Sequence, residues 1–491
     1  MYTEIYRYNV QEVCIMDIGD LAASAVKKIA TKKGNKISKK GPAPELPKVQ
    51  PVTIRNNKDS KFDVGFAMRE MMPDDFGKQK YYIAGHRMAQ DMTGIHDNLT
   101  ASAMWLGVGE EGGIIMVTAD IIGLTNTEVT LIRESLADFC KTAKCKAINI
   151  CCTHQHAGFD TVGYWGRLPF TGKVDSYMQK IFKTIKEICI EAYENRTTGD
   201  LYLGTTHVPE ANYKRREPLN VNDTLTRFRF VPDNGSKETW LLNFGAHPNT
   251  LGGGNTLCSA DYPYFMRQAI YAEKDVNLLF GIGAIGAVDP GFSDEEDRWV
   301  RTEKQGKALA AGAVRIDNDE KMPAEITVLQ QPFYYHADNG VLAFLAMLKV
   351  MSSKMVPSET AELKMALVSE MTYMKIGTQQ VLLVPGEAFP EIAYGGADSA
   401  EKSSTGRGPE INPPTFVEIA GDENLLVFGV SNDFTGYVVP PNDFILHKTQ
   451  PYLSTGKDKF DRGHYHETNS LGYSAAKTLS TAFADIISRV K

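Results

Sequence analysis

Apolar residues recur along this chain in two registers. From Asp175 to Asn195 the positions Met178, Ile181, Phe182, Ile185, Ile188 and Cys189 return every three or four residues, the stripe of a helix laid against a sheet. Asn126 to Thr142 and Arg298 to Val314 also read as helices. Elsewhere apolar runs of strand length appear, at Gly113 to Val117, Ala147 to Cys152, Trp240 to Phe244, Asn277 to Ile282, Gln380 to Val384 and Leu425 to Val430. Continuous apolar strands with helices between them predict sheets covered on both faces. The pattern predicts one large mixed α/β (α+β) domain, with further strands from about Glu325, where Ile326 to Phe333 and Tyr334-Tyr335 have strand character.

The patterned region begins near Val52 to Phe62. Before it stand seven lysines between Lys27 and Lys40 with no acid among them, then the proline-rich GPAPELPKVQP. The expected division is a flexible Lys/Pro-rich leader over 1–51 and a single catalytic domain over 52–491. Leu21 to Ile29 has an alternative as a short amphipathic helix with its lysines toward anionic lipid or another acidic partner.

Composition removes several classes. Of 491 residues, 43% are hydrophobic and 23% charged, an ordinary globular balance that argues against long disorder or coiled coil. Acids outnumber bases 60 to 53 for a net charge of −7, so no nucleic-acid footprint covers the chain. No apolar run reaches the roughly 18–20 residues that span a bilayer; membrane contact, if any, is peripheral. The seven cysteines are odd in number and include the adjacent Cys151-Cys152, and Cys140 to Cys145 does not match CxxC, so buried thiols in a reducing compartment are expected. The first twenty residues carry Glu4, Glu12, Asp17 and Asp20 and lack the basic start and apolar stretch of a secretory signal. The expected location is the cytoplasm.

Candidate chemistry gathers where the apolar runs end. Ala147 to Cys152 delivers Thr153 and then His154 and His156, which share a face if the strand persists. Two such imidazoles suit zinc or copper; a pair of polar loop histidines is the plainer alternative. Trp240 to Phe244 runs into a turn bearing His247 before Pro248, and QQVLLVPGEAF exposes Glu387 after Pro385-Gly386. Three strand ends that each present a His or a carboxylate supply what a catalytic zinc needs, with one position left for water. The glycine-rich LGGGNT (251–256) lacks a P-loop ending and reads as a tight loop beside His247. Gly281, Gly283 and Gly286 spell GxGxxG, but Asp289-Pro290 follow where the helix of a dinucleotide site should run. There is no GxSxG elbow.

These motifs, in this order, resemble the neutral/alkaline (non-lysosomal) ceramidases from about Asp63 to the C-terminus. THQHAG is similar to the family's Thr-His-x-His-Ser-Gly, NFGAHPNT to its His-Pro segment and VPGEAF to its Pro-x-Glu-Phe. SNDFTGYVVP resembles its Asn-x-Tyr-x-x-Tyr-Val, and HYHETNSLG a later Tyr-Glu segment. The resemblance implies one zinc ion per chain, held by His154, His247, Glu387 and Tyr437. It implies that His156 handles substrate or protons, that Arg215, or its neighbour Arg216, binds substrate, and that Tyr465 is a second active-site tyrosine. Two departures stand out. Asp289 occupies the serine position of the family's Gly-Asp-x-Ser-Pro, and no counterpart of the immunoglobulin-like C-terminal domain of secreted ceramidases is expected.

The implied reaction is zinc-assisted hydrolysis of a linear amide in a lipid or small-molecule N-acyl substrate, N-acylsphingosine among them. Arg215 and Tyr465 would face the developing oxyanion, and His156 would protonate the leaving amine. Asp261 is expected either to orient a ligand histidine or to cap a helix near Tyr262 to Ala272. Phe159, Tyr164, Trp165, Leu168 and Phe170 are candidates for an acyl groove, with core packing as the alternative. The rival readings are a zinc esterase or lactonase on a soluble metabolite, and a non-catalytic binding relative.

Overall fold

In the computed structural model the described residues are 21–56 and 60–490. Cys14 and the acidic positions of the first twenty residues lie outside them.

Two sheets stack face to face, and helices cover the outer face of each. The larger sheet has nine strands, in the order Val276–Ile282, Glu238–Phe244, Thr224–Pro232, Thr197–His207, Phe62–Glu70, Thr100–Gly107, Gly113–Ala119 and Cys145–Cys152, with Glu320–Lys321 paired at the edge of Thr197–His207. The second has six: Val52–Arg55, Glu325–His336, Met365–Ile376, Gln379–Leu383 and Leu426–Phe428, with Met355–Pro357 on Met365–Ile376. Alternation along a strand shows how the layers divide. In Thr100–Gly107, Ala101, Ala103 and Trp105 face the helical layer, while Met104 and Leu106 face Val328, Met374 and Leu383 of the other sheet. Each strand therefore needs apolar residues on both sides, which is why the sequence shows unbroken runs. The covering layer is a helix on one face and a second sheet on the other.

Most neighbours are antiparallel. Within the two large sheets the parallel pairs are Gly113–Ala119 with Cys145–Cys152, Glu238–Phe244 with Val276–Ile282, and Gln379–Leu383 with Leu426–Phe428. One strand of each pair leads toward His154, His247 or Glu387.

Helix Asp175–Glu194 buries Met178, Ile181, Ile185, Ile188 and Cys189 against the large sheet, at about 1.5–3 kcal/mol for each large side chain taken out of water. Arg298–Arg315 also forms as the periodicity predicts. The span 126–142 is two helices, Asn126–Ser135 and Ala137–Ala143, because Leu136 leaves helical geometry (φ −107°, ψ 7°) with its side chain in the core. Outside the second sheet, Ala475–Val490 packs Leu479, Phe483, Ile486 and Ile487 inward.

The N-terminal segment differs from the expected flexible leader. Residues 21–38 are helical, and Ala30 is fully buried with Ala343, Leu363 and Met365. The small residues on its inner face let its backbone lie close against the domain, a pattern without the large apolar positions that usually betray a packed helix.

The six described cysteines are all free thiols, and among the described residues no helix is long and apolar enough to cross a membrane.

Candidate metal centre

The strand Cys145–Cys152 stops before the histidines it delivers. His154 sits at φ +60°, a left-handed conformation that costs a non-glycine residue about 1–3 kcal/mol. The turn replaces strand alternation as the reason His154 and His156 meet, with their Nε2 atoms 3.2 Å apart. Gly85 makes room for them. It has φ +108°, and a Cβ there would stand 2.4 Å from the His156 ring.

Two sheets have to meet for this site to exist, and residues 429–432 join them. Gly429 N–H donates to Ile282, and Asn432 exchanges bonds of 2.8 Å with Ile150 through backbone and side chain. Val430 takes φ +44° at this crossing, strain that the bonds on either side hold in place. On the far side, Glu387 pairs in parallel register with Tyr437, so backbone hydrogen bonding places the carboxylate beside the phenol.

His154, His156 and His247 are buried, with ligand atoms all within 4.8 Å of one another. Glu387 Oε2 lies 2.8 Å from His247 Nε2 and 3.4 Å from His154 Nε2. Carbonyls fix both tautomers: His154 Nδ1–H donates to Ile122 at 2.6 Å and His247 Nδ1–H to Val288 at 2.9 Å. A carbonyl only accepts, so each Nδ1 carries the proton and each Nε2 turns inward. His247 Nε2 and the Glu387 carboxylate can approach at 2.8 Å only with a cation, proton or metal, between their lone pairs. A tetrahedral ion with bonds of about 2.0–2.1 Å sets its ligands roughly 3.3 Å apart, the scale of the spacings seen. The donor set fits a metal ion, and its nitrogen-rich chemistry suits zinc.

The electrostatics agree. Burial favours a neutral Glu387, yet the imidazoles of His154 and His247 hold its carboxyl down at about 2. Burial would lower His247, and the bond to Glu387 reverses that and raises it. His156 falls well below the usual histidine range through burial and the neighbouring imidazoles. The Tyr437 phenol is pushed well up by burial and by Glu387.

The site opens into a cavity of about 620 Å³. One end carries His86, His154, His156, Glu387, Tyr437, Arg215 and Tyr465; the other is formed by Leu342, Ala343, Ala346, Met351, Met355 and Leu367.

No protein-family model matches this sequence, and no curated protein does. Solved structures do. The crystal structure of neutral ceramidase from Pseudomonas aeruginosa superposes with a TM-score of 0.66, over 88% of this chain and 75% of that one, at 14% identity. A ceramidase complexed with C2 gives the same values. The chain has a neutral ceramidase fold.

Within that ceramidase fold, the residues singled out in the sequence fall into two groups. His154, His156, His247, Glu387, Tyr437, Tyr465 and Arg215 are brought to one place. Arg215 reaches it in a tight ion pair with Asp289, which also accepts from Asn249 Nδ2 at 3.4 Å and Tyr213 at 3.3 Å. Burial raises the Tyr465 hydroxyl to about 12 against the pull of Arg215. Arg216, the alternative substrate residue, points elsewhere. It is buried between Asp443 at 2.8 Å and Glu467 at 3.3 Å, 5.3 Å from the Phe389 ring.

Asp261 caps the helix Tyr262–Glu273 and bonds Thr250 Oγ1 at 2.6 Å. It shapes the loop after His247, and none of its bonds goes to a histidine. Of the five proposed groove residues, Tyr164 and Trp165 line the cavity. Phe159 is core, packed edge-to-face with Tyr81 and Tyr177, and Leu168 and Phe170 are exposed. Asp160 explains the split: its carboxylate accepts from the N–H groups of Val162, Gly163 and Trp165, folding the loop so that only its middle turns inward.

Two features escaped the sequence reading. His86 lies with its ring 5.0 Å from that of His156; desolvation of the ring by the cavity wall, with His247 nearby, lowers it to about 4 although the residue itself is exposed. It stands alone in an irregular segment with no strand pointing to it. The helix Gly340–Met347, GVLAFLAM, is apolar all round, and such a short run gives no periodicity to separate helix from strand.

Proposed function

We propose that this protein is a zinc-dependent hydrolase of N-acyl lipid amides, N-acylsphingosine-like molecules among them. One observation carries the reading: a buried His154–His247–Glu387 cluster opens onto a cavity whose opposite end is mostly apolar. The likeness of fold to ceramidases supports the same substrate class. A polar reaction end joined to a greasy one suits an amide that carries a hydrocarbon tail, and the volume lies in the range of sites for such ligands.

His154, His247, Glu387 and Tyr437 would hold the ion. When bound, zinc polarises a carbonyl and brings the pKa of a coordinated water toward about 7. The chain's own residues do the rest. His156, kept neutral at physiological pH, accepts the proton of the attacking water and returns one to the departing nitrogen. Arg215, fixed by Asp289, and the Tyr465 hydroxyl donate to the carbonyl oxygen as it gains charge. Leu342, Ala343 and Leu367 hold the tail and keep bulk water from the reacting carbon.

The experiment incubates zinc-loaded protein with N-acyl amides of graded chain length and measures released fatty acid by mass spectrometry. Expected is release that rises with chain length and is absent in Glu387→Gln. Turnover confined to short soluble esters would replace this reading with esterase chemistry.

A further inference from the structure

The helix at 21–38 has two unlike faces. Ala23, Ala30 and Gly34 are buried, and Gly34 lies so near the Leu363 carbonyl that a Cβ there would stand 1.8 Å from it. That face seals Ala343, and Ala343 lines the apolar end of the cavity. Every lysine from Lys27 to Lys40 is on the other side, exposed. Residues 21–44 contain no acid. The one ion pair found for these lysines among the described residues is Lys27 with Glu362, at 2.5 Å.

A block of seven positive charges, one of them paired, on a chain of net charge −7 is the reverse of the molecule's average. It is also a costly arrangement, since like charges on neighbouring turns repel. The surface close to it is greasy as well. Ile29 and Leu21 on the same helix are exposed. The helix Gly340–Met347, against which Ala30 packs, ends in an exposed Leu348 followed by Lys349. Thr171 Oγ1 donates to Val350 at 2.9 Å, which ties down a loop whose tip is Phe170, 73% exposed.

We infer that the lysine face of residues 21–38 docks the protein on an anionic lipid bilayer, with the apolar end of the cavity held next to that surface. Lysines satisfy lipid phosphates and carboxylates as point charges, each adding to a potential that decays within about a Debye length. Exposed Ile29, Leu348 and Phe170 provide shallow apolar contact, the usual companion of such a charge. A nucleic acid or an acidic protein would use the lysines and leave the apolar side chains without a role, so the lipid surface is the better match. Docking needs no hydrolysis, so its test stands apart from that of the activity.

The test is co-sedimentation of the full chain with vesicles of phosphatidylcholine alone or with about 30% phosphatidylserine, at low and at high salt. Expected is binding to the anionic vesicles only, weakened at least tenfold by high salt and by Lys28→Glu/Lys32→Glu/Lys36→Glu. Those three side chains are exposed, and unchanged circular dichroism and metal content would verify that the variant is folded. Equal binding by the variant, no binding to anionic vesicles, or tighter binding to double-stranded DNA or polyglutamate than to the vesicles would each overturn the proposal.

Discussion

The two sheets contribute to the metal centre in different ways. The nine-stranded sheet delivers His154 and His247 from the buried ends of its strands Cys145–Cys152 and Glu238–Phe244, each imidazole locked by a backbone carbonyl. The six-stranded sheet delivers Glu387 past the end of Gln379–Leu383, into a two-residue pairing with Tyr437. One half is a rigid platform of nitrogen donors; the other supplies the negative charge from short, irregular segments. The difference teaches that the charge of the site depends on the junction between the sheets, while its geometry depends mainly on one of them.

The strongest way to break this comparison is to remove ligands from each side. His154→Ala and His247→Ala should abolish stoichiometric zinc, measured by elemental mass spectrometry, and lower amide hydrolysis by about a thousandfold or more, since loss of the ion forfeits several kcal/mol. Glu387→Ala should do the same to metal and activity, while removing a buried charge that the imidazoles otherwise balance. If either histidine variant keeps a full complement of metal, the nine-stranded side is not the platform described.

Arg215 and Arg216 allow a second test, because neighbouring residues of one type serve different halves. Arg216→Met leaves Asp443 and Glu467 buried without their cation and should cost about 3–5 kcal/mol of stability in urea denaturation. Arg215→Met also leaves the buried Asp289 without its cation, but that guanidinium is half exposed, so it should cost less stability than Arg216→Met and raise the barrier by about 2.7–4 kcal/mol, read as kcat/KM. The reverse result would exchange their roles. Restoring Lys at 215 should recover little, because an ammonium cannot reproduce a planar pairing with Asp289.

The contrast between the sheets also explains what could be read from the sequence. His154, His247 and Glu387 were legible because each follows an apolar run that forms a strand, and strand ends are where open sheets present functional groups. The four-layer stacking was not, because a strand facing a second sheet and one facing a helix show the same unbroken apolar run. Arg215 could be separated from Arg216 only by the structure, since both lie in the bend after the strand Asn212–Lys214, where no periodicity fixes the direction of a side chain. His86 and the apolar helix Gly340–Met347 left no periodic signal. The helix at 21–38 was legible only as the alternative over Leu21 to Ile29, and its packing was hidden because Ala23, Ala30 and Gly34, the residues that let it pack, are also those of a flexible linker.

A milder perturbation isolates the six-stranded side. Tyr437→Phe removes one oxygen and leaves the backbone pairing with Glu387 intact. Zinc affinity should fall about 10–100-fold, the usual effect of losing a supporting group, with the melting temperature of the metal-free protein unchanged. A chelator titration monitored by residual bound zinc measures the shift. An unchanged affinity would mean that Tyr437 lies beside the ion without contacting it.

A last test concerns the junction itself. Asp433 accepts from the N–H groups of Asn126 and Phe434, each at 2.8 Å, and from Ser369 Oγ at 2.6 Å, linking a helix on the large sheet to a strand of the small one. Burial, only partly offset by those bonds, raises its carboxyl to about 7. An unfolded aspartate titrates near 3.9, so between about pH 4 and 7 the folded state keeps a proton that the unfolded state releases. The stabilisation is fully present below about pH 4 and is lost as pH rises through about 7, with a slope of up to about 1.4 kcal/mol per pH unit. Asp433→Asn is neutral throughout and can keep the same geometry, its amide oxygen accepting from the two N–H groups and its nitrogen donating to Ser369. Urea midpoints at pH 5, 6, 7 and 8 should therefore fall less steeply in the variant than in the wild type, and the variant should be the more stable at pH 8. Parallel curves would show that the junction carries no proton, and that the two halves are joined by backbone and packing alone.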